Sequence, residues 1–455
     1  MEKTIAAIST APAPGGIGIV RISGGEAFAV AEKVFRGVSG KKVSQMKGYT
    51  AQLGGAYTPG GEKLDDVVAL VYRGPKSYTG EDVVELSCHG GLYVTKRLLQ
   101  LVLDAGAAPA GPGEFTRRAF LNGKMDLAQA EAVMGLISAS GEQARKAALA
   151  GSTGVLSKKI ESIKQGLLEQ AAHLAAWADF PEEDVPQVEE AALLEGIRQG
   201  EKALEELLQG FDRGRMYREG LVTVIAGRPN AGKSTLMNLL SGCQRSIVTQ
   251  YAGTTRDVVE ETVMVAGVPL RLADTAGIRD TDDPVESIGV QAARQRLETA
   301  QLVLAVFDSS QALEKEDWEL MDALEKVPAI AIVNKSDLPT RMDVEAIQKR
   351  FEKTVSLSAA TGEGLAALEQ ALSEILDTKD FHPQEGVLFT QRQRMDAQTA
   401  LDSLREGEQA LALGLTLDAV TVCVEDALHA LAALTGEQVS EEIVDRVFEE
   451  FCVGK

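Results

Sequence analysis

An apolar run, LVTVIA at residues 221–226, leads straight into GRPNAGKS at 227–234, and nothing else in this 455-residue chain restricts the fold so much. A Gly-x-x-x-x-Gly-Lys-Ser loop works only between a strand and a helix, where backbone N–H groups converge on one point. Gly227 and Gly232 allow that wrapping, Lys233 is placed to reach β- and γ-phosphates, and the Ser234 hydroxyl can ligate Mg²⁺. The surroundings agree. Between residues 216 and 379, strand-like runs (LVTVIAG, LRLADT, LVLAVFD, AIAIVNK) alternate with helical ones, the last being LAALEQALSEIL. Alternation of this kind predicts a parallel sheet with helices on both faces.

Further motifs fall at the ends of these predicted strands. In DTAG (Asp274, Thr275, Ala276, Gly277) the carboxylate can hold Mg²⁺ through water, and Gly277 can face a γ-phosphate. In NKSD (Asn334, Lys335, Ser336, Asp337) the Asp337 carboxylate can accept two N–H bonds from guanine, an edge adenine does not offer. SLSA, with Ser358 and Ala359, completes a base pocket. Four elements in this order predict GTP as the nucleotide, contacted also by Asn230, Ala231, Thr235 and Thr249. Thr254 and Thr255 of YAGTTRD fit a loop that closes over the γ-phosphate, with Thr255 as second Mg²⁺ ligand. Small GTPases often place Gln directly after Asp-x-x-Gly to orient the attacking water. Ile278 stands there instead and cannot hydrogen-bond. Glu286, which reads otherwise as a solvated residue at a helix start, is a candidate for that work. A monovalent cation near the phosphates is a candidate for the missing charge.

Residues 1–118 mix strand runs (TIAAIS, GIGIVRIS, DVVALVY, DVVELSC) with helical ones, the clearest being GGLYVTKRLLQLVLDAG, and predict an α+β domain. Residues 119–215 and 380–455 read as helical, which predicts one helical domain interrupted by the nucleotide domain at 216–379. The expected fold class is therefore multidomain, α+β and α/β. Net charge is −21, yet residues 1–118 hold 14 Lys+Arg against 11 Asp+Glu, so the other 337 residues carry −24. Such a balance excludes a protein that coats nucleic acid generally and directs any polyanion contact to the first domain. Apolar runs such as QLVLAVF at 301–307 are too short to span a bilayer, and MEKTIAAISTAPAPGG lacks the core of a secretory signal, so a cytoplasmic protein is expected. Cys88, Cys243 and Cys423 form no Cys-x-x-Cys pair and read as small buried hydrophobes.

With GRPNAGKST, TTRD, DTAGIRD, NKSD and the terminal CVGK together, the chain resembles, over its full length, the MnmE (TrmE) family of tRNA-modification GTPases. The resemblance implies a tetrahydrofolate-binding-like, dimerising domain at 1–118, a discontinuous helical domain and an inserted Ras-like GTPase domain. It implies K⁺ as a built-in activator held by Asn230, Thr249, Tyr251 and Thr254, and it puts the water-positioning role on Glu286. Tyr251 departs from the aliphatic residue expected, at a ligand that is a backbone carbonyl. Arg21, Glu85, Lys124 and Lys455 fall on the folate positions, where a glutamate reads the pterin's amino and ring N–H pair and cations hold carboxylates. The implied reaction needs a homodimer and an FAD-dependent partner of the MnmG (GidA) family in a heterotetramer. It installs a carboxymethylaminomethyl or aminomethyl group at carbon 5 of the tRNA wobble uridine. The one-carbon unit comes from 5-formyl- or 5,10-methylene-tetrahydrofolate, and GTP hydrolysis gates the chemistry.

Two other readings compete. A GTP-dependent ribosome assembly factor usually appends a basic RNA-binding module such as a KH domain, whereas residues 380–455 hold 5 Lys+Arg against 15 Asp+Glu. A free-standing one-carbon transferase would make GTP incidental. The tail FCVGK fits no prenylation box, because Gly454 stands at an aliphatic position and Lys455 is not a suitable last residue. Cys452 either continues the apolar stripe of Ile443, Val444, Val447, Phe448 and Phe451, or stands beside the one-carbon chemistry as a catalytic thiol delivered with Lys455.

Overall fold

The computed structural model describes residues 3–179, 190–243, 261–272, 300–376, 382–449 and 451–455. Two compact units form, one from Met1–Met134 with Glu425–Lys455 and the other from Gly135–Val424.

In the first unit seven strands make one sheet: β1 (Ile5–Ile8), β2 (Ile17–Ser23), β3 (Phe35–Gly37), β4 (Thr50–Tyr57), β5 (Lys63–Tyr72), β6 (Val83–His89) and β7 (Ala108–Pro109), in the order β3-β4-β5-β6-β2-β1-β7. Strand alternation sends Val67, Ala69 and Val71 of β5, with Val20, Ile22, Val84 and Leu86, to one face. Helices α1 (Ala27–Val34) and α2 (Leu92–Asp104) lay Phe28, Ala31, Leu98 and Val102 on that face. Each such fully buried aliphatic side chain contributes about 1.5–3 kcal/mol. The opposite face leaves Ile17, Leu53 and Val68 exposed and carries Arg21, Glu85 and Tyr72. Helix α3 (Glu114–Leu121) follows, then α4 (Leu127–Ser138).

Within the helical stretch 119–215 a break before Gly141 separates α4 from α5 (Glu142–Ser152). In the second unit α6 (Val155–Asp179) and α7 (Glu190–Glu219) precede the second sheet. Its strands are β8 (Leu221–Ala226), β9 (Glu261–Val265), β10 (Val268–Leu272), β11 (Leu302–Asp308), β12 (Ala329–Asn334) and β13 (Lys353–Ser356), ordered β13-β12-β11-β8-β10-β9. All neighbours are parallel except β9 beside β10. Every residue of β11 and β12 is buried, as central parallel strands covered on both faces require. Among the described residues the helices around this sheet are α8 (Lys233–Cys243), α9 (Lys315–Ala323), α10 (Val344–Gln348) and α11 (Leu365–Ile375). Beyond them α12 (Gln391–Ala412) packs Ala397, Leu401 and Leu404 against α7, whose Leu193, Ile197, Leu204 and Phe211 recur at helical spacing.

The chain returns to the first unit through α13 (Leu417–Thr435) and α14 (Glu441–Glu449). Leu127, Ala130, Val444, Phe448 and Phe451 build a second core there, with the Phe448 and Phe451 rings 5.0 Å apart. Two expectations need correction. Ile443 sits in the first turn of α14 facing solvent and is 42% exposed, so the apolar stripe begins at Val444. Cys88 is buried, but Cys423, on α13 with Gly407 packed against it, is half-buried. The side chain of Cys243 lies outside the described residues.

Candidate functional sites

At the carboxyl edge of the second sheet, β8 ends at Ala226 and the 227–232 turn opens α8 with Lys233. Helix N–H groups aimed at a common point suit an anion. Gly232 has φ +98°, and a Cβ there would overlap the Asn334 side-chain amide. The loop is laced to its neighbours by two residues of NKSD. Asn334, buried, donates from Nδ2 to the Ala231 carbonyl at 2.8 Å and accepts from the Ala359 N–H at 2.9 Å. Lys335, itself at φ +62°, donates from Nζ to the Asn230 carbonyl at 2.9 Å. Thus Asn230, Ala231, Gly232, Asn334, Lys335 and Ala359 come together as one cradle. Ser358 is fully buried beneath it, while Asp337, Ser234 and Thr235 are exposed at its rim. Lys233 folds back over the loop, donating to the Gly227 and Arg228 carbonyls at 2.9 and 2.7 Å. Thr249, Tyr251, Thr254, Thr255, Asp274, Thr275, Ala276, Gly277 and Glu286 lie outside the described residues.

Two residues carry weight that the sequence reading passes over. Asp308, at the end of β11, stands in register with Asn334 and holds the Lys335 ammonium at 2.7 Å. Burial pushes its carboxyl up, but Lys335 and hydrogen bonds from Ser310 outweigh that and hold it below the usual range. Arg228, inside the phosphate loop, is clamped by Asp317 at 2.8 Å and by Glu314 at 2.5 Å, both at the start of α9. The signal for each was an acidic residue at the end of a strand or the start of a helix.

The first unit gathers a second set. Arg21 and Glu85 face each other across β2 and β6, and Arg21 Nε donates to Glu85 Oε1 at 2.9 Å. The Tyr72 hydroxyl meets Glu85 Oε2 at 3.4 Å, a long contact that leaves the oxygen acceptor capacity. Burial, then the Glu85 charge, pushes the Tyr72 hydroxyl up. The Arg21 guanidinium lies 5.5 Å from the Phe115 ring centre and 5.9 Å from that of Tyr78. Residues 451–455 dock beside it. The Gly113 N–H donates to the Cys452 carbonyl at 3.3 Å, and the Phe115 N–H to the Lys455 carbonyl at 3.1 Å. The Gly454 carbonyl accepts from Ser9 Oγ at 3.1 Å and Arg21 Nη1 at 3.3 Å. Arg21 is therefore engaged with Glu85 and the tail. Lys124 is exposed and donates to the Pro75 carbonyl at 3.0 Å, and Cys452 is half-buried.

A strand–loop–helix phosphate cradle joined to an Asn-Lys-x-Asp loop on a parallel sheet defines a P-loop GTP hydrolase. Residues 4–124 match the family model for the N-terminus of the GTP-binding protein TrmE, and residues 127–452 match the MnmE helical domain. The tRNA modification GTPase MnmE of Alkaliphilus oremlandii is 43% identical over the whole of both chains, and that of Symbiobacterium thermophilum 45% identical over the same extent. The MnmE of Lactiplantibacillus plantarum is 42% identical across 99% of this chain and 98% of its own. The chain belongs to the MnmE family of tRNA modification GTPases. Among the described residues no helix is long and apolar enough to cross a membrane.

Proposed function

We propose that this chain is a potassium-activated GTPase that, as a cytoplasmic homodimer with an MnmG (GidA)-type flavoprotein, modifies carbon 5 of the tRNA wobble uridine with a folate one-carbon unit. In this reading residues 1–118 bind tetrahydrofolate and dimerise, 119–215 and 380–455 form the helical domain, and 216–379 hydrolyse GTP. The observation that carries it is the docking of residues 451–455 beside Arg21 and Glu85, which supports one site built from both ends of the chain. Glu85, with its remaining acceptor capacity, fits the donor edge of a pterin; Arg21 holds that carboxylate in place. Lys124 and Lys455 are the cations for the folate's carboxylates, and Cys452 is the thiol nearest the one-carbon chemistry. The exposed Ile17, Leu53 and Val68 on the open sheet face support pairing with a second copy.

Ser234, at the start of α8, and Thr255 are the proposed Mg²⁺ ligands; Asn230, Thr249, Tyr251 and Thr254 are those for K⁺. Bound K⁺ supplies positive charge beside the phosphates, a need set by Ile278. Glu286 positions the water. Turnover at saturating GTP and Mg²⁺ is then at least about tenfold higher in KCl than in NaCl of equal ionic strength; equal rates refute the potassium role. Titration with 5-formyltetrahydrofolate tests the other half. The unaltered chain binds it, and Glu85→Ala loses about tenfold or more in affinity, as loss of a charge-assisted pair entails. No detectable binding to the unaltered chain sinks the folate assignment.

A further inference from the structure

We infer that Asp308 is a positioning residue for the nucleotide site, setting the phosphate loop through Lys335. Of the four described residues other than glycine with left-handed backbone, two stand in this cradle, Asn230 and Lys335 at φ +61° and +62°. Such conformations persist only where the surroundings over-determine them. The Lys335 ammonium on the Asn230 carbonyl joins the pair. Three donors would let that ammonium swing elsewhere, and Asp308 is what stops it. One carboxylate oxygen takes the ammonium at 2.7 Å; the other accepts from the Ser310 N–H and hydroxyl at 2.9 and 2.6 Å. With both oxygens committed and only 4% of the residue exposed, the carboxylate has one orientation. The adjacent Ser309 hydroxyl donates to the Lys335 carbonyl at 3.0 Å, so the Asp-Ser-Ser turn holds Lys335 by both backbone and side chain.

The effect reaches the ligand at two points. Lys335 belongs to the loop that reads guanine, and Asn230 is the phosphate-loop residue assigned to K⁺; the second effect rests on the potassium reading. Asp308→Asn keeps the shape and removes the charge. In the full-length chain we expect the Mg²⁺-bound complex with a fluorescent GDP analogue to dissociate about tenfold faster in NaCl, with the melting temperature of the nucleotide-free protein near that of the parent. The KCl concentration for half-maximal turnover rises severalfold. Ser310→Ala, which takes away one hydrogen bond to the carboxylate, gives a smaller change in the same direction and stands in should Asp308→Asn fail to fold.

An unchanged dissociation rate in a folded variant overturns the inference. Equal turnover of the parent in KCl and NaCl, with faster dissociation in the variant, removes the potassium reading and leaves the positioning role supported. Faster dissociation with an unaltered half-activating KCl concentration overturns the link from Asp308 to Asn230.

Discussion

Gly454→Ala should abolish wobble-uridine modification, by about a hundredfold or more, while GTP turnover stays within about twofold of the parent. Gly454 has φ +95°, where a side chain is unfavourable by about 1–2 kcal/mol. The larger effect is steric. A Cβ at this position would overlap the Ile8 carbonyl, part of β1 and unable to retreat without breaking the sheet. The tail must lift, and with it go the contacts from Ser9 and Arg21 to the Gly454 carbonyl. Cys452 and Lys455 are then misplaced by the order of 1 Å, a displacement that costs about a hundredfold where geometry carries the rate. Mass spectrometry of the wobble nucleoside after reaction with the flavoprotein proposed above reads the first quantity, and phosphate release from the same preparation reads the second. Full modification by the variant would show that the tail's docking has no part in the chemistry.

Gly232→Ala should strike the other activity. Its Cβ would overlap the Asn334 amide at a φ of +98°, so the same backbone penalty is joined by a steric one. Asn334 must withdraw, leaving the Ala231 carbonyl and the buried amide without each other. An orphaned buried polar group costs about 1–3 kcal/mol. Backbone and polar penalties together come to about 3–4 kcal/mol, which lowers affinity for GTP and GDP by about two to three powers of ten. Binding of 5-formyltetrahydrofolate, measured in the same preparation, should stay unchanged and so confirms that the first unit is folded. Nucleotide affinity near that of the parent would mean that the loop relaxes around the added methyl group.

The nucleotide cradle was legible because each of its parts is a local string. GRPNAGKS, NKSD and SLSA each sit at a strand end, and strands rich in β-branched residues such as AIAIVN announce themselves. The lacing between those strings was not legible. Asp308 reaches Lys335 only because β11 and β12 lie in register, and Arg228 reaches Asp317 only because the chain folds α9 against the loop. An acidic residue at a strand end or helix start marks each, but nothing local in the sequence says which cation it meets. In the first unit β4 was missed for another reason: TAQLGGAY carries two glycines where alternation would have shown two side chains. Gly54 and Gly55 blur the period of two that marks a half-buried strand. The proximity of Arg21 to Glu85 and to the tail came from resemblance alone, since Arg21 is 64 positions from Glu85 and 433 from Gly454.

That separation has a bearing on biosynthesis. Ser9 and Gly454 are 445 positions apart, and one hydrogen bond joins them. At about 5–20 residues per second, the first strands leave the ribosome about 20–90 s before the segment that docks on them. For that interval the Arg21–Glu85 pair of β2 and β6 has no tail to dock beside it. A chain ending short of residue 451 would lack the contacts that Ser9 and Arg21 make to the Gly454 carbonyl.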